Sequence, residues 1–160
     1  MLKKKLTHID KNKSPKMVNI LDKNISKRLA VAEGIIKFSQ GTFNKILKLE
    51  TAKGEIKNVA ILSGVIGAKK TSELIPLCHN ISIDNVEIKV KTLSLTKSIK
   101  VICKVNTSAK TGVEMEALTG VTIACLTIYD MCKSIDKGII IKNIKLIKKY
   151  GGKSGLYKAK

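Results

Sequence analysis

One stretch of this chain changes its hydrophobic period, and that change narrows the available folds more than any other feature. Ile99, Val101, Cys103 and Val105 occupy alternate positions, the period of two that a half-buried strand requires. The pattern then turns helical. Between Val113 and Ile135, the residues Leu118, Val121, Thr122, Cys125, Tyr129 and Cys132 fall on a single stripe, as one buried helix face would. A strand running into a long apolar helix must share one core with it, which calls for a layered architecture of sheet and helices.

The remaining segments extend that architecture. Residues 1–28 read as a Lys-rich tail, with a short strand at Met17-Val18-Asn19-Ile20, and residues 29–160 as a single catalytic domain. Ala30 to Phe38 is apolar and β-branched enough for a first strand. Ser39 suits an N-cap, followed by a helix with Phe43, Ile46 and Leu47 on one face. A second helix is expected over Lys53–Lys69, burying Ile56, Val59, Ala60, Ser63 and Ile66, while Gly64, Gly67 and Ala68 admit a close neighbour. Ile81 and Ile83 alternate, the phase slips at Asp84-Asn85, and Val86, Ile88 and Val90 resume it, which predicts a bulge. Thr92 to Lys97 is long enough for a hairpin. Ile139–Ile141 and Ile144–Leu146 make a last strand before a Gly-rich loop. The order β-α-α-β-β-α-β predicts an α+β fold of the ferredoxin-like, split βαβ kind. Its antiparallel sheet would be backed by helices on one face, with an extra helix in the first crossover.

Charge and composition narrow the function. The net charge of +19 draws anions. Aromatic residues are only 3% and Trp is absent, so the stacking platforms that bind single-stranded nucleic acid are scarce. The expected strands Asn80–Lys91 and Ser98–Asn106 contain no aromatic at all. No apolar run approaches the ~20 residues of a membrane span, and Met1–Lys5 lacks the apolar core of a secretory signal. A cytoplasmic location is expected. Cys78, Cys103, Cys125 and Cys132 show no C-x-x-C spacing, so neither a metal site nor a disulfide is expected.

Four constellations carry chemistry. Leu77-Cys78-His79 follows Pro76 on a loop before a strand, where it is either a reactive pair or a buried thiol beside a half-exposed imidazole. Glu114 and Glu116 flank Met115 at a helix start, where the dipole alone would favour carboxylates. Asp130 and Lys133 are i, i+3 neighbours, either a local ion pair or an acid–base pair whose lysine pKa is lowered by apolar surroundings. Lys149-Tyr150-Gly151-Gly152-Lys153 offers backbone N–H groups and cations to an anion, without Walker A spacing, or is a loose tail.

In combination these motifs resemble one family. Lys69-Lys70-Thr71-Ser72-Glu73-Leu74-Ile75-Pro76-Leu77-Cys78-His79, Lys110 to Thr119, Leu126 to Lys133 and Gly151 to Gly155 occur in the order of cyclic pyranopterin monophosphate synthases, the second enzymes of molybdenum cofactor synthesis. Leu6-Thr7-His8-Ile9 and Met17-Val18 also match. The resemblance implies a lyase that converts (8S)-3′,8-cyclo-7,8-dihydroguanosine 5′-triphosphate to cyclic pyranopterin monophosphate and diphosphate. It implies a homohexamer built as a trimer of dimers, with sites shared between subunits, and neither a cofactor nor a metal. By position it assigns catalysis to Asp130, Lys133, Lys53 and Lys69. It assigns substrate contacts to Leu77, Cys78, His79, Glu114, Met115 and Glu116, and phosphate contacts to Lys149 and Lys153. Lys70, Asn19 and Tyr150 depart from the family pattern, which normally has arginine, aspartate and a small residue there. A basic nucleic-acid module and a structural oligomer with a vestigial site are the competing readings. The first lacks aromatics, and the second is at odds with the reactive residue types still present.

Overall fold

The period of two holds along β3 (Ser98–Ala109), whose Ile99, Val101, Cys103 and Val105 are completely buried. The computed structural model describes residues 8–159 other than 11, 54, 153 and 154, and the backbone alone of 49–53 and 55. β3 is hydrogen-bonded on both edges. On one it meets β2 (Asn85–Leu93) through a 3-10 turn at Ser94–Thr96. On the other it pairs with the full length of β1 (Ser26–Lys37), Ser26 opposite Ala109 and Lys37 opposite Ser98. β4 (Ile140–Tyr150) takes the free edge of β1, and β5 (Tyr157–Lys158) follows it, giving the order β2-β3-β1-β4-β5. Every pairing is antiparallel.

Helices fill the two long connections. α1 (Phe43–Lys53), α2 (Glu55–Lys69) and the single turn α3 (Thr71–Leu74) lie between β1 and β2, and α4 (Glu114–Cys132) lies between β3 and β4. Each connection skips one strand, so β1 and β2 enclose β3, and β3 and β4 enclose β1. These are two split βαβ units in an α+β sheet. α4 lies directly on β1: a Cβ on Gly34 would come within 2.7 Å of Val121 and 3.1 Å of Cys125. α2 packs beside α4 through small residues, a Cβ on Gly64 meeting the Gly120 carbonyl at 3.0 Å and one on Gly67 meeting Ile123 at 2.7 Å. α4 is the one described helix long and apolar enough to cross a membrane, but half of it is buried inside this fold.

Several local expectations are corrected. β1 begins at Ser26 rather than Ala30, because β3 offers partners along its whole length. No strand forms at Met17–Ile20; the nearest pairing is an isolated bridge between Ile9 and Pro15. Ser39 does not cap α1, which starts at Phe43; its N–H and hydroxyl instead bind Asp136 at 2.7 and 2.6 Å. Phe43 and Ile46 are buried as expected. On α2 the buried face is Ile56, Ala60, Gly64 and Ala68, while Val59 and Ile66 are exposed at 40% and 47%. The small residues face α4 because a close helix crossing excludes branched side chains. On α4 the buried stripe is rotated slightly, to Ala117, Val121, Ala124, Cys125, Ile128 and Cys132, leaving Leu118, Thr122 and Tyr129 half-buried. Ile81 and Ile83 stay outside β2, where no bulge forms. Side chains tie that segment to β3 instead, Thr107 Oγ1 donating to the Ser82 carbonyl at 2.7 Å and Ser108 N–H to Asp84 at 3.0 Å. Past Gly151 and Gly152, both at positive φ, the chain returns to pair with β4 as β5, a strand the sequence did not suggest.

Candidate active site

The reactive side chains form two groups at opposite ends of α4. The first surrounds its N-terminus. Ile75 leaves α3 in an extended conformation and Cys78 N–H bonds back to the Ile75 carbonyl at 3.0 Å, which turns Cys78 and His79 inward. Glu116, in the first turn of α4, is 4% exposed. Burial pushes its carboxyl pKa up, and the neighbouring Glu114 adds to the rise. The Cys78 thiol is likewise pushed up, first by burial and then by Glu116. Glu116 Oε2 and His79 Nε2 are both buried without a hydrogen-bond partner. A buried polar atom left unsatisfied is costly.

Beside this group lies a cleft of about 730 Å³ lined by Arg28, Lys110, Glu114, Lys149, Gly151 and Gly152 among others. Glu114 holds Lys149 at 3.0 Å. Arg28 is fixed from both ends of its fork, Nε donating to the Ala109 carbonyl and Nη2 to the Lys110 carbonyl, each at 3.1 Å. Lys110 Nζ donates to the Leu21 carbonyl at 2.9 Å, fastening the N-terminal segment across the opening. A smaller hollow of about 260 Å³ containing His79 shares Lys110 and Thr111 with this cleft. Arg28 was missed from sequence, and Lys110 was read only as the first residue of the motif at 110–119. The signal for Arg28 was available, since it is the only arginine among 31 basic residues.

The second group sits at the last turn of α4. Lys133 pairs with Asp130 at 2.6 Å, both largely exposed. Of the two readings the sequence allowed, the single chain has the local ion pair: the hydrogen bond and charge of Asp130 raise the lysine pKa. The other expected residues divide between the two ends and the undescribed positions. Lys69 ends α2 and is exposed, and its neighbour Ala68 packs near Gly120 in the second turn of α4. Leu77 is half-buried and Met115 is 38% exposed. Lys53 ends α1, but its side chain lies outside the described residues, as does Lys153. Among the described residues no group of three His, Cys, Asp or Glu is placed to hold a metal ion.

A carboxyl whose pKa is raised, a thiol and an imidazole beside an arginine and lysines can exchange protons with a phosphorylated substrate. Known proteins resemble this chain over nearly its whole length. Residues 17–152 match the MoaC family. The cyclic pyranopterin monophosphate synthase of Helicobacter pylori (strain G27) is 48% identical over 155 residues, 97% of this chain and 98% of that protein. That of Campylobacter jejuni (strain RM1221) is 47% identical over 153 residues, covering 96% and 98%. That of Heliobacterium modesticaldum (strain ATCC 51547 / Ice1) is 44% identical over 152 residues, covering 95% and 96%. With likeness of this extent the chain belongs to the MoaC family, the cyclic pyranopterin monophosphate synthases.

Proposed function

We propose that this protein converts (8S)-3′,8-cyclo-7,8-dihydroguanosine 5′-triphosphate to cyclic pyranopterin monophosphate and diphosphate, in sites that two subunits share. One observation carries the shared site: the proton-transferring groups stand at opposite ends of α4. Glu116 and Asp130 are ~14 residues apart, ~21 Å along a helix rising ~1.5 Å per residue. Cooperating groups must converge on a reacting centre at contacts of ~3 Å. A two-fold axis brings the Asp130 end of one helix to the Glu116 end of its partner and does so twice.

The roles follow from the environments. Arg28, Lys110 and Lys149, with the Gly151 and Gly152 backbone and Lys153, take the phosphates. Glu116, which burial favours in its neutral form, donates a proton and His79 relays one. Asp130 acts as base with Lys133 beside it. Enclosure at the interface strips water from that ammonium and works against the upward pull of Asp130. Lys53 and Lys69 supply further charge, while Leu77, Cys78 and Met115 line the pocket. The raised thiol pKa of Cys78 suits lining rather than attack. The assembly is a hexamer, a trimer of such dimers, acting in the cytoplasm.

The test is complementation. Asp130→Asn and His79→Ala proteins, each inactive alone, are mixed and allowed to exchange subunits, and diphosphate release from the cyclic nucleotide is followed. Each hybrid dimer holds one intact site, so activity should return to a fraction of wild type. If exchange is verified by mass and no activity returns, each chain carries a whole site.

A further inference from the structure

A second basic cleft lies on the opposite face of the sheet. Ala30, Ala32 and Ile36 of β1 and Ile99, Val101 and Cys103 of β3 are buried beneath the helices, so their alternate neighbours look outward. There Ile35 stands between Lys100 of β3 and Lys142 of β4, and Lys37 between Ser98 and Ile140. With Lys97 from the β2–β3 turn, these three lysines line a cleft of about 710 Å³. That size lies within the ~300–1,000 Å³ typical of small-molecule sites. None of the described residues lining it is acidic. Glu33, just outside the lining, holds Lys100 at 3.0 Å and Lys145 at 3.6 Å. Among the described residues no carboxylate pairs with Lys37, Lys97 or Lys142.

The backbone adds an independent observation. Only three described non-glycine residues have positive φ, and two of them, Lys97 (φ 49) and Asn143 (φ 55), line this cleft. A hairpin of this kind ordinarily places glycine or asparagine at its left-handed position. Lysine there accepts strain that glycine would avoid, and local rules tend to break where a ligand is held. Lys97 is also pinned through its backbone, its N–H on the Ser94 carbonyl at 3.2 Å and its carbonyl accepting from Phe38 N–H at 3.1 Å. Apolar surface completes the cleft: Leu95 is fully exposed and Ile140 is 55% exposed. None of the residues that carry the family resemblance lines it.

We propose that this cleft is a second anion site, separate from the reaction site, for a small phosphorylated molecule with an apolar portion. The lysines meet phosphate oxygens as point charges, and Leu95 and Ile140 cover the apolar part. Such binding is screened by salt and weakens as ionic strength rises.

Equilibrium dialysis of the full chain against inorganic diphosphate and adenosine 5′-triphosphate tests this at low and physiological salt. Wild type should bind two equivalents per chain, and His79→Ala should retain the cleft equivalent. Lys97→Gln with Lys142→Gln should weaken that equivalent roughly tenfold or more, two charge-assisted contacts being lost, and leave turnover within about twofold of wild type. Adenosine triphosphate should bind the cleft more tightly than diphosphate. Lys97→Gly should weaken binding yet melt no lower than wild type, because glycine relieves the left-handed strain. Two results would each sink the proposal. One is unchanged stoichiometry and affinity in the double variant. The other is loss of turnover in step with binding, which would make the cleft part of the reaction site.

Discussion

Asp136 shows how one carboxylate can organise the turn that follows the Asp130–Lys133 ion pair. It is 4% exposed and accepts from Ser39 N–H at 2.7 Å, Ser39 Oγ at 2.6 Å, Thr42 Oγ1 at 2.6 Å and Gly138 N–H at 2.8 Å. Burial by itself would raise its pKa, but these four donors outweigh burial and hold it at about 2, below its ordinary 3.8. A group depressed in this way contributes stability that is fully present above the unfolded value and lost as pH falls towards the folded one. Asp136→Asn should therefore melt lower at neutral pH, by about 1–3 kcal/mol, because its amide confronts donors and leaves one unsatisfied. The gap from wild type should narrow between the pKa values of 3.8 and about 2. Thermal melts at pH 7 and pH 2.5 check this, and a gap that persists undiminished at the lower pH would mean that Asp136 acts by packing. Ser39 is the instructive residue. Its sequence context fitted an N-cap, and a partner 97 positions away claimed its hydroxyl instead.

At the scale of elements, the crossing of α2 and α4 depends on residues with almost no side chain. A Cβ on Gly120 would come within 2.9 Å of Cys103 Sγ, 3.1 Å of the Gly64 carbonyl and 3.4 Å of Ala68 Cβ. Helix propensity favours alanine over glycine by ~1 kcal/mol. Steric conflict works the other way, since overfilling a packed core costs ~1–3 kcal/mol and the carbonyl cannot rotate aside. Gly120→Ala should lower stability by about 1–2 kcal/mol net, measured by urea denaturation; an increase would mean that the helices part without penalty. The same crossing explains why the expected face of α2 was only partly right. Ile56 and Ala60 are buried as read, but the close approach selects Gly64 and Ala68 and turns Val59 and Ile66 outward. Hydrophobic periodicity ranks residues by apolarity, whereas a tight helix pair ranks them by size.

For the molecule as a whole, those outward residues matter again. Val59, Leu62 and Ile66 of α2 are 40%, 62% and 47% exposed, and Leu126 of α4 is 49% exposed, apolar surface of the kind that partner subunits cover. If α2 packs against another copy and the site is shared, Leu62→Glu should yield smaller assemblies and cut turnover by roughly tenfold or more, since interface energy concentrates in few residues. Light scattering beside the diphosphate assay checks both, and full activity in a monomer would refute the shared site. Much of this protein was legible in its sequence. The alternation of β3, the apolar α4, the order of the longer elements and the motifs that carry the family resemblance were readable, because periodicity and short-range chemistry are properties of neighbouring residues. Tertiary structure alone decided which distant groups meet. Arg28 reaches the Lys110 carbonyl across 82 positions, burial and then Glu116 from another element raise the Cys78 pKa, and Lys37, Lys97, Lys100 and Lys142 gather into one cleft. Those meetings are set by strand order and register, and a local pattern names an element without naming its neighbour.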